Sequence, residues 1–109
     1  DTFKLGDDFM IKHIVMWKLK DEAEGNSKAE NAKIIKNSIE DLKEKINEIV
    51  DIEVGIDVNK SDQAYDVVLY STFNSLEDLD SYQKNPDHVK AGSFVKKVAS
   101  SRVVVDYEM

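Results

Sequence analysis

From Ile11 to Lys20 the chain alternates, with Ile11, His13, Val15, Trp17 and Leu19 on one side and Lys12, Ile14, Met16, Lys18 and Lys20 on the other. A period of two predicts a β-strand. The second side is apolar in its middle and lysine-rich at its ends, so both faces are expected to touch something, one of them helices and the other a partner or a cavity. Ser27 followed by Glu30 is a capping-box signature that marks a helix start. Beyond it Ala32, Ile35, Ile39, Leu42, Ile46 and Ile49 recur at three- and four-residue steps, which keeps one apolar stripe on a helix running to Ile49. A coiled coil would carry the same stripe, but the segment is short of three heptads and strands flank it, which favours helix-on-sheet packing.

Ile52, Val54, Ile56 and Val58 alternate with polar residues or Gly and predict a strand with one wet face. After a turn at 60–64, the β-branched and aromatic run from Tyr65 to Phe73 predicts the next strand, joined to its predecessor by a hairpin-length loop. Ser75, with Asp78 three residues on, caps a short helix carrying Leu76, Leu79 and Tyr82. Pro86 interrupts it and suits the first turn of a second helical piece to about Ala99, with Val89, Phe94, Val95 and Val98 apolar. Arg102 to Tyr107 closes the chain as a strand. The order βαββαβ is a doubled split βαβ unit: an α+β, ferredoxin-like protomer with a four-stranded antiparallel sheet and helices on one face. Strands that are apolar on both sides need the second face buried too, and sheet-on-sheet dimerisation would do it.

With 109 residues, 22 acidic and 15 basic side chains and a net charge of −7, the chain fits one small acidic domain with a modest core. That charge balance argues against nucleic-acid partners, whose phosphates are met by clustered Lys and Arg. No stretch approaches the roughly 20 apolar residues that span a bilayer, so no membrane partner is expected. The absence of cysteine removes disulfide frameworks, thiolate nucleophiles and sulfur-ligated metals, and makes a cytoplasmic location the default expectation. Residues 1–9 are polar and acidic without an apolar period, and Met10 is the first methionine. Residues 1–9 therefore read as an upstream extension or expression remnant and 10–109 as the domain.

The chemistry-bearing candidates are few. His88 titrates near neutral pH and is suited to proton transfer at a pocket mouth, or else fixes the Pro86 turn through its ring nitrogens. Tyr82, six residues earlier across the helix break, can reach the same place and polarise a carbonyl, or else is a core tyrosine. His13 shares a face with Val15 and Trp17, as a satisfied core residue or a cavity residue. Trp17, Tyr65 and Phe73 are cavity-lining candidates, with plain core the competing reading. Two histidines without carboxylates at ligand spacing give no metal site, and glycines scattered at Gly6, Gly25, Gly55 and Gly92 give no phosphate loop. No cofactor is expected.

Three segments, MIKHIVMWKLK from Met10, YDVVLYSTF from Tyr65 and SYQKNPDHVKAG from Ser81, carry a family likeness. The chain resembles the stress-responsive A/B barrel (Dabb) domains from about Met10 to Tyr107. The resemblance implies a homodimer whose two sheets join into a dimeric α+β barrel, with a cavity inside each subunit. Most members look like proteins without an assigned biochemical role, and one plant member is a polyketide cyclase that performs a cofactor-free aldol condensation. Its acid/base histidine resembles His88, its partner tyrosine Tyr82 and a further pocket histidine His13. A third-strand histidine of the cyclase is replaced here by Val67, a departure from that pattern.

Three functions are thus in play. The first is a homodimer whose cavity binds a small, mostly apolar or aromatic molecule, with any chemistry limited to proton transfer by His88 and Tyr82 in a cyclase-like or lyase-like reaction. The second is a structural, stress-protective dimer. The third and lowest is a haem-degrading or quinol-forming monooxygenase, for which His88, Asn85 and Trp17 are the relevant residues. Whether the protein is an enzyme stays open at this stage.

Overall fold

A computed structural model describes residues 9–109, so the upstream segment proposed at 1–9 lies, but for Phe9, outside the described residues. Strand β1 (Ile11–Leu19) leads into a two-residue hairpin, β2 (Glu22–Ala23) and β3 (Asn26–Ser27), where the sequence suggests only a loop. Helix α1 (Lys28–Glu40) begins on the expected capping box. The Glu30 backbone N–H donates to the Ser27 hydroxyl at 3.1 Å, and the Ser27 N–H to the Glu30 carboxylate at 2.8 Å. Next come β4 (Ile49–Ile56), β5 (Val67–Phe73), α2 (Leu76–Lys84), α3 (Pro86–Val98) and β6 (Ala99–Glu108). The main sheet has the order β4-β5-β1-β6 with every neighbour antiparallel, the ferredoxin-like arrangement.

Several boundaries differ from the sequence reading. The α-helix stops at Glu40 and tightens into a 3₁₀ turn at Asp41–Glu44, although Leu42, Ile46 and Ile49 are buried as expected. Steps of three and four report that successive residues face the core, and a turn followed by a strand satisfies them as well as a helix does. The stop is anchored by Glu40, whose carboxylate accepts the Val54 backbone N–H at 3.0 Å and the Lys36 ammonium at 2.8 Å, tying the helix end to β4. That pairing with Lys36 and Val54 holds the Glu40 pKa below its usual value against the opposing effect of desolvation, the largest single influence. Strand β4 accordingly begins three residues early, and Val58 is 90% exposed beyond its end. At the other end β6 starts at Ala99, three residues before the expected Arg102.

The alternation in β1 sets the two faces of the sheet. Ile11, Val15, Trp17 and Leu19 are buried under the helices, as are Val67, Leu69 and Phe73 of β5. The opposite face carries Ile14 and Met16 of β1, Val68 and Tyr70 of β5, and Val103, Val105 and Tyr107 of β6, all adjacent by register. Met16, Tyr70, Val103, Val105 and Tyr107 are exposed there, forming an apolar surface with no cover among the described residues of the protomer.

Candidate functional site

The break between α2 and α3 assembles the site. Asn85 precedes Pro86, whose ring disfavours a helical conformation in the residue before it, and Asn85 adopts φ −63° and ψ 133°. Its side chain then caps α3 by accepting the Asp87 N–H at 2.9 Å. At the turn the Asn85 N–H donates to the Tyr82 carbonyl at 3.2 Å and the Val89 N–H to the Asn85 carbonyl at 3.0 Å, and Tyr82 in the last turn of α2 meets His88 in the first turn of α3, ring centroids 4.4 Å apart. Tyr82 is fully buried, with Phe73 packed behind it at 4.8 Å and His13 at 6.3 Å.

Each histidine has one nitrogen engaged. His88 Nδ1 lies 3.1 Å from the Gln83 carbonyl, which only accepts, so Nδ1 carries the proton in the neutral ring and Nε2 keeps the lone pair. Burial pushes the His88 pKa down. The Gln83 hydrogen bond works the other way, and the neighbouring His13 and Arg102 add to the lowering. His88 is therefore a neutral base at physiological pH. Burial drives the Tyr82 phenol in the opposite direction, well above its usual value, so it stays protonated and available as a hydrogen-bond donor. His13 Nδ1 sits 2.5 Å from a carboxylate oxygen of Asp106, its register partner across β1 and β6, and the backbone carbonyl of His13 accepts the Ser71 hydroxyl on the other side.

These rings form one end of a cavity of about 470 Å³ between the sheet and α3. Val15, Trp17, Leu69 and Val95 contribute its apolar wall, and Lys96 and Arg102 reach it from α3 and β6. The cavity thus joins an apolar chamber to a base and a phenol, the combination suited to holding a small apolar carbonyl compound while a proton moves.

Of the residues expected from sequence, His88, Tyr82, His13 and Trp17 all reach the cavity wall. Two expectations need correction. Phe73 supports Tyr82 from the core without lining the cavity. Tyr65 lies beside Met16 on the opposite side of the sheet, with the Lys18 ammonium 5.0 Å from its ring centre. The reason is local. Asp66 accepts the Leu19 N–H on its carboxylate at 2.8 Å and donates its own N–H to the Trp17 carbonyl, so β5 begins at Val67 and the alternation does not extend back to Tyr65. Val67 itself is buried opposite Trp17 and outside the wall, so the departure from the cyclase pattern falls in the core. Asp106, Lys96 and Arg102 escaped the sequence reading. The lone Asp within Val103 to Tyr107 was the available signal, since pairing that strand with β1 sets it opposite His13.

The family model described as Stress Responsive A/B Barrel Domain matches residues 11–109. Among solved structures, the chain is similar to a dimeric protein of unknown function and ferredoxin-like fold from Bacteroides fragilis NCTC 9343. That match has 36% identity and a TM-score of 0.75 over 92% of this chain and 96% of the other. A dimeric ferredoxin-like protein of unknown function from Thermobifida fusca YX matches with 20% identity and a TM-score of 0.80, over 93% and 92% of the two chains. The fold also matches the hydroxynitrile lyase from Passiflora edulis at 19% identity and a TM-score of 0.75, over 92% and 93%. No curated protein matches the chain.

Proposed function

The chain belongs to the stress responsive A/B barrel domain family, and from that premise we propose that it is a homodimer whose subunit cavity binds a small, mostly apolar carbonyl compound and moves a proton on it. The observation that carries this reading is the meeting of His88, Tyr82 and His13 at one end of an apolar cavity. His88 Nε2 takes a proton from the carbon beside the carbonyl, and the Tyr82 hydroxyl donates to the carbonyl oxygen as that oxygen gains charge. The imidazolium then returns the proton to the product, so no net charge is left behind. Cyclase-like and lyase-like reactions both fit such a step, and the Passiflora edulis lyase lends the second its support by fold alone.

The competing readings are less well supported. A purely structural dimer calls for a filled barrel, whereas about 470 Å³ stands open beside His88. A haem site of the expected kind would use Asn85, but that side chain caps α3. The test is deuterium wash-in at the α-carbon of phenylacetone in D₂O, followed by proton NMR. Saturable exchange above the buffer rate supports the reading, and exchange at the buffer rate overturns it.

Dimerisation through the open sheet face rests on the apolar surface of Met16, Tyr70, Val103 and Val105, and on the dimeric state of the Bacteroides and Thermobifida proteins. Val105 is 52% exposed near the middle of that surface, so Val105→Asp leaves the protomer intact and places an unpaired charge in the interface. An unpaired buried charge costs about 3–5 kcal/mol. Light scattering at micromolar concentration should therefore report a dimer for the parent and a monomer of unchanged circular dichroism for the variant; a dimeric variant would place the interface elsewhere.

A further inference from the structure

Charge is distributed unevenly between the cavity and the rest of the molecule. The chain is acidic, with 22 acidic side chains, yet no carboxylate among the described residues lines the cavity, while two cations, Lys96 and Arg102, do. Arg102 is the only arginine in the sequence, and it occupies β6 opposite Trp17 on the face turned toward the cavity. Neither Arg102 nor Lys96 has an ion-pair or side-chain hydrogen-bond partner among the described residues. The carboxylate of Asp106, beside the cavity end, is taken up by His13.

An acidic protein whose described residues keep acid out of one cavity and leave the guanidinium there without a partner among them has an electrostatic preference at that site. Resting on the cavity-binding reading above, we infer that the ligand is an apolar monocarboxylate, its carboxylate held by Arg102 with Lys96 beside it and its apolar body laid against Trp17, Val15 and Leu69. The planar guanidinium fork matches a carboxylate in two parallel hydrogen bonds. A phosphate is a poorer fit, because the chain offers no glycine-rich loop and the cations come from the later part of α3 and from a strand, away from any helix N-terminus. The arrangement also gives the ligand a direction, with its anion at the cationic wall and its other end toward His88 and Tyr82.

Trp17 is the only tryptophan and part of the cavity wall, so its fluorescence reports occupancy directly. The test compares 4-phenylbutyrate with 4-phenyl-1-butanol, which differ in charge but scarcely in apolar body, on the full chain and on Arg102→Met. The carboxylate is expected to bind the parent roughly tenfold tighter than the alcohol, the scale of one charge-assisted contact at a part-exposed site. That preference should vanish in Arg102→Met while the alcohol affinity holds. Equal binding of the two probes by the parent overturns the carboxylate assignment and leaves the cavity reading standing. Tighter binding of phenyl phosphate than of 4-phenylbutyrate overturns it in favour of a phosphate. Absence of any Trp17 response to all three probes overturns both the inference and the cavity reading.

Discussion

Replacing His88 by Ala is expected to slow α-proton exchange by roughly 10²- to 10⁴-fold, the usual contribution of a positioned general base. The side chain is half-buried, and its hydrogen bond from the start of α3 to the Gln83 carbonyl near the end of α2 is its one side-chain bond among the described residues, so its removal should leave the fold intact. Tyr82→Phe keeps the ring packed against Phe73 and removes only the donor, so its effect should fall on the same rate by a smaller factor. The measurement is the NMR wash-in rate for parent and variants under saturating ketone. An exchange rate undiminished in His88→Ala would assign the proton transfer to another group, with His13 next in line.

The pH dependence of that rate follows from the environment of His88. Only the neutral imidazole accepts the proton, and burial moves its pKa below the ordinary 6.5. The rate should therefore rise with pH through a midpoint below 6.5 and be level above it, so that the base remains active where a free histidine is already half protonated. Stability carries the same sign. Between the folded pKa and 6.5 the unfolded chain holds more protons at this site than the folded one, so stability contributed here declines as pH falls through that window. A midpoint above 6.5 would contradict the desolvated placement of the ring.

The legible and illegible parts of the sequence separate by how local their causes are. The strand β1 and the capping box of α1 are written in neighbouring residues, and both elements appear where the pattern sets them. So is the Pro86 break, which made the meeting of Tyr82 and His88 readable six positions apart. The end of α1 was not readable. Leu42, Ile46 and Ile49 are buried as the stripe implies, but the place where the helix stops goes with the Glu40 carboxylate meeting the Val54 N–H, in a strand that the periodicity of the helix says nothing about. Tyr65 was misplaced for a similar reason, since its direction is set by the hydrogen bonds of Asp66 to β1. The cationic wall is the extreme case. Arg102 becomes a cavity residue only through the register of β6 against β1, a relation between positions 85 apart, 17 and 102, for which alternation within β6 supplies only the face.

Phe73→Ala should have the largest effect on stability, about 3–5 kcal/mol, the range for truncating a fully buried phenylalanine. The ring is fully buried in β5, between Ile11 of β1 and Ile49 of β4 in register, and it backs Tyr82 on the helix side. Sheet on one side and a fixed tyrosine on the other leave little freedom to close the hole, which places the cost toward the upper part of that range. Small domains are stable by only about 5–15 kcal/mol, so the variant would spend a large share of its folding margin. Val58→Ala, at a site 90% exposed, is the internal standard and should stay within about 0.5 kcal/mol of the parent. Urea unfolding followed by circular dichroism measures both, and a loss below about 1 kcal/mol for Phe73→Ala would mean that Tyr82 collapses into the space. Either result bears on the site. Phe73→Ala lowers the unfolding midpoint and releases the back of Tyr82, whereas His88→Ala lowers the rate at an unchanged midpoint, so the pair separates a residue that supports the cavity end from one that acts within it.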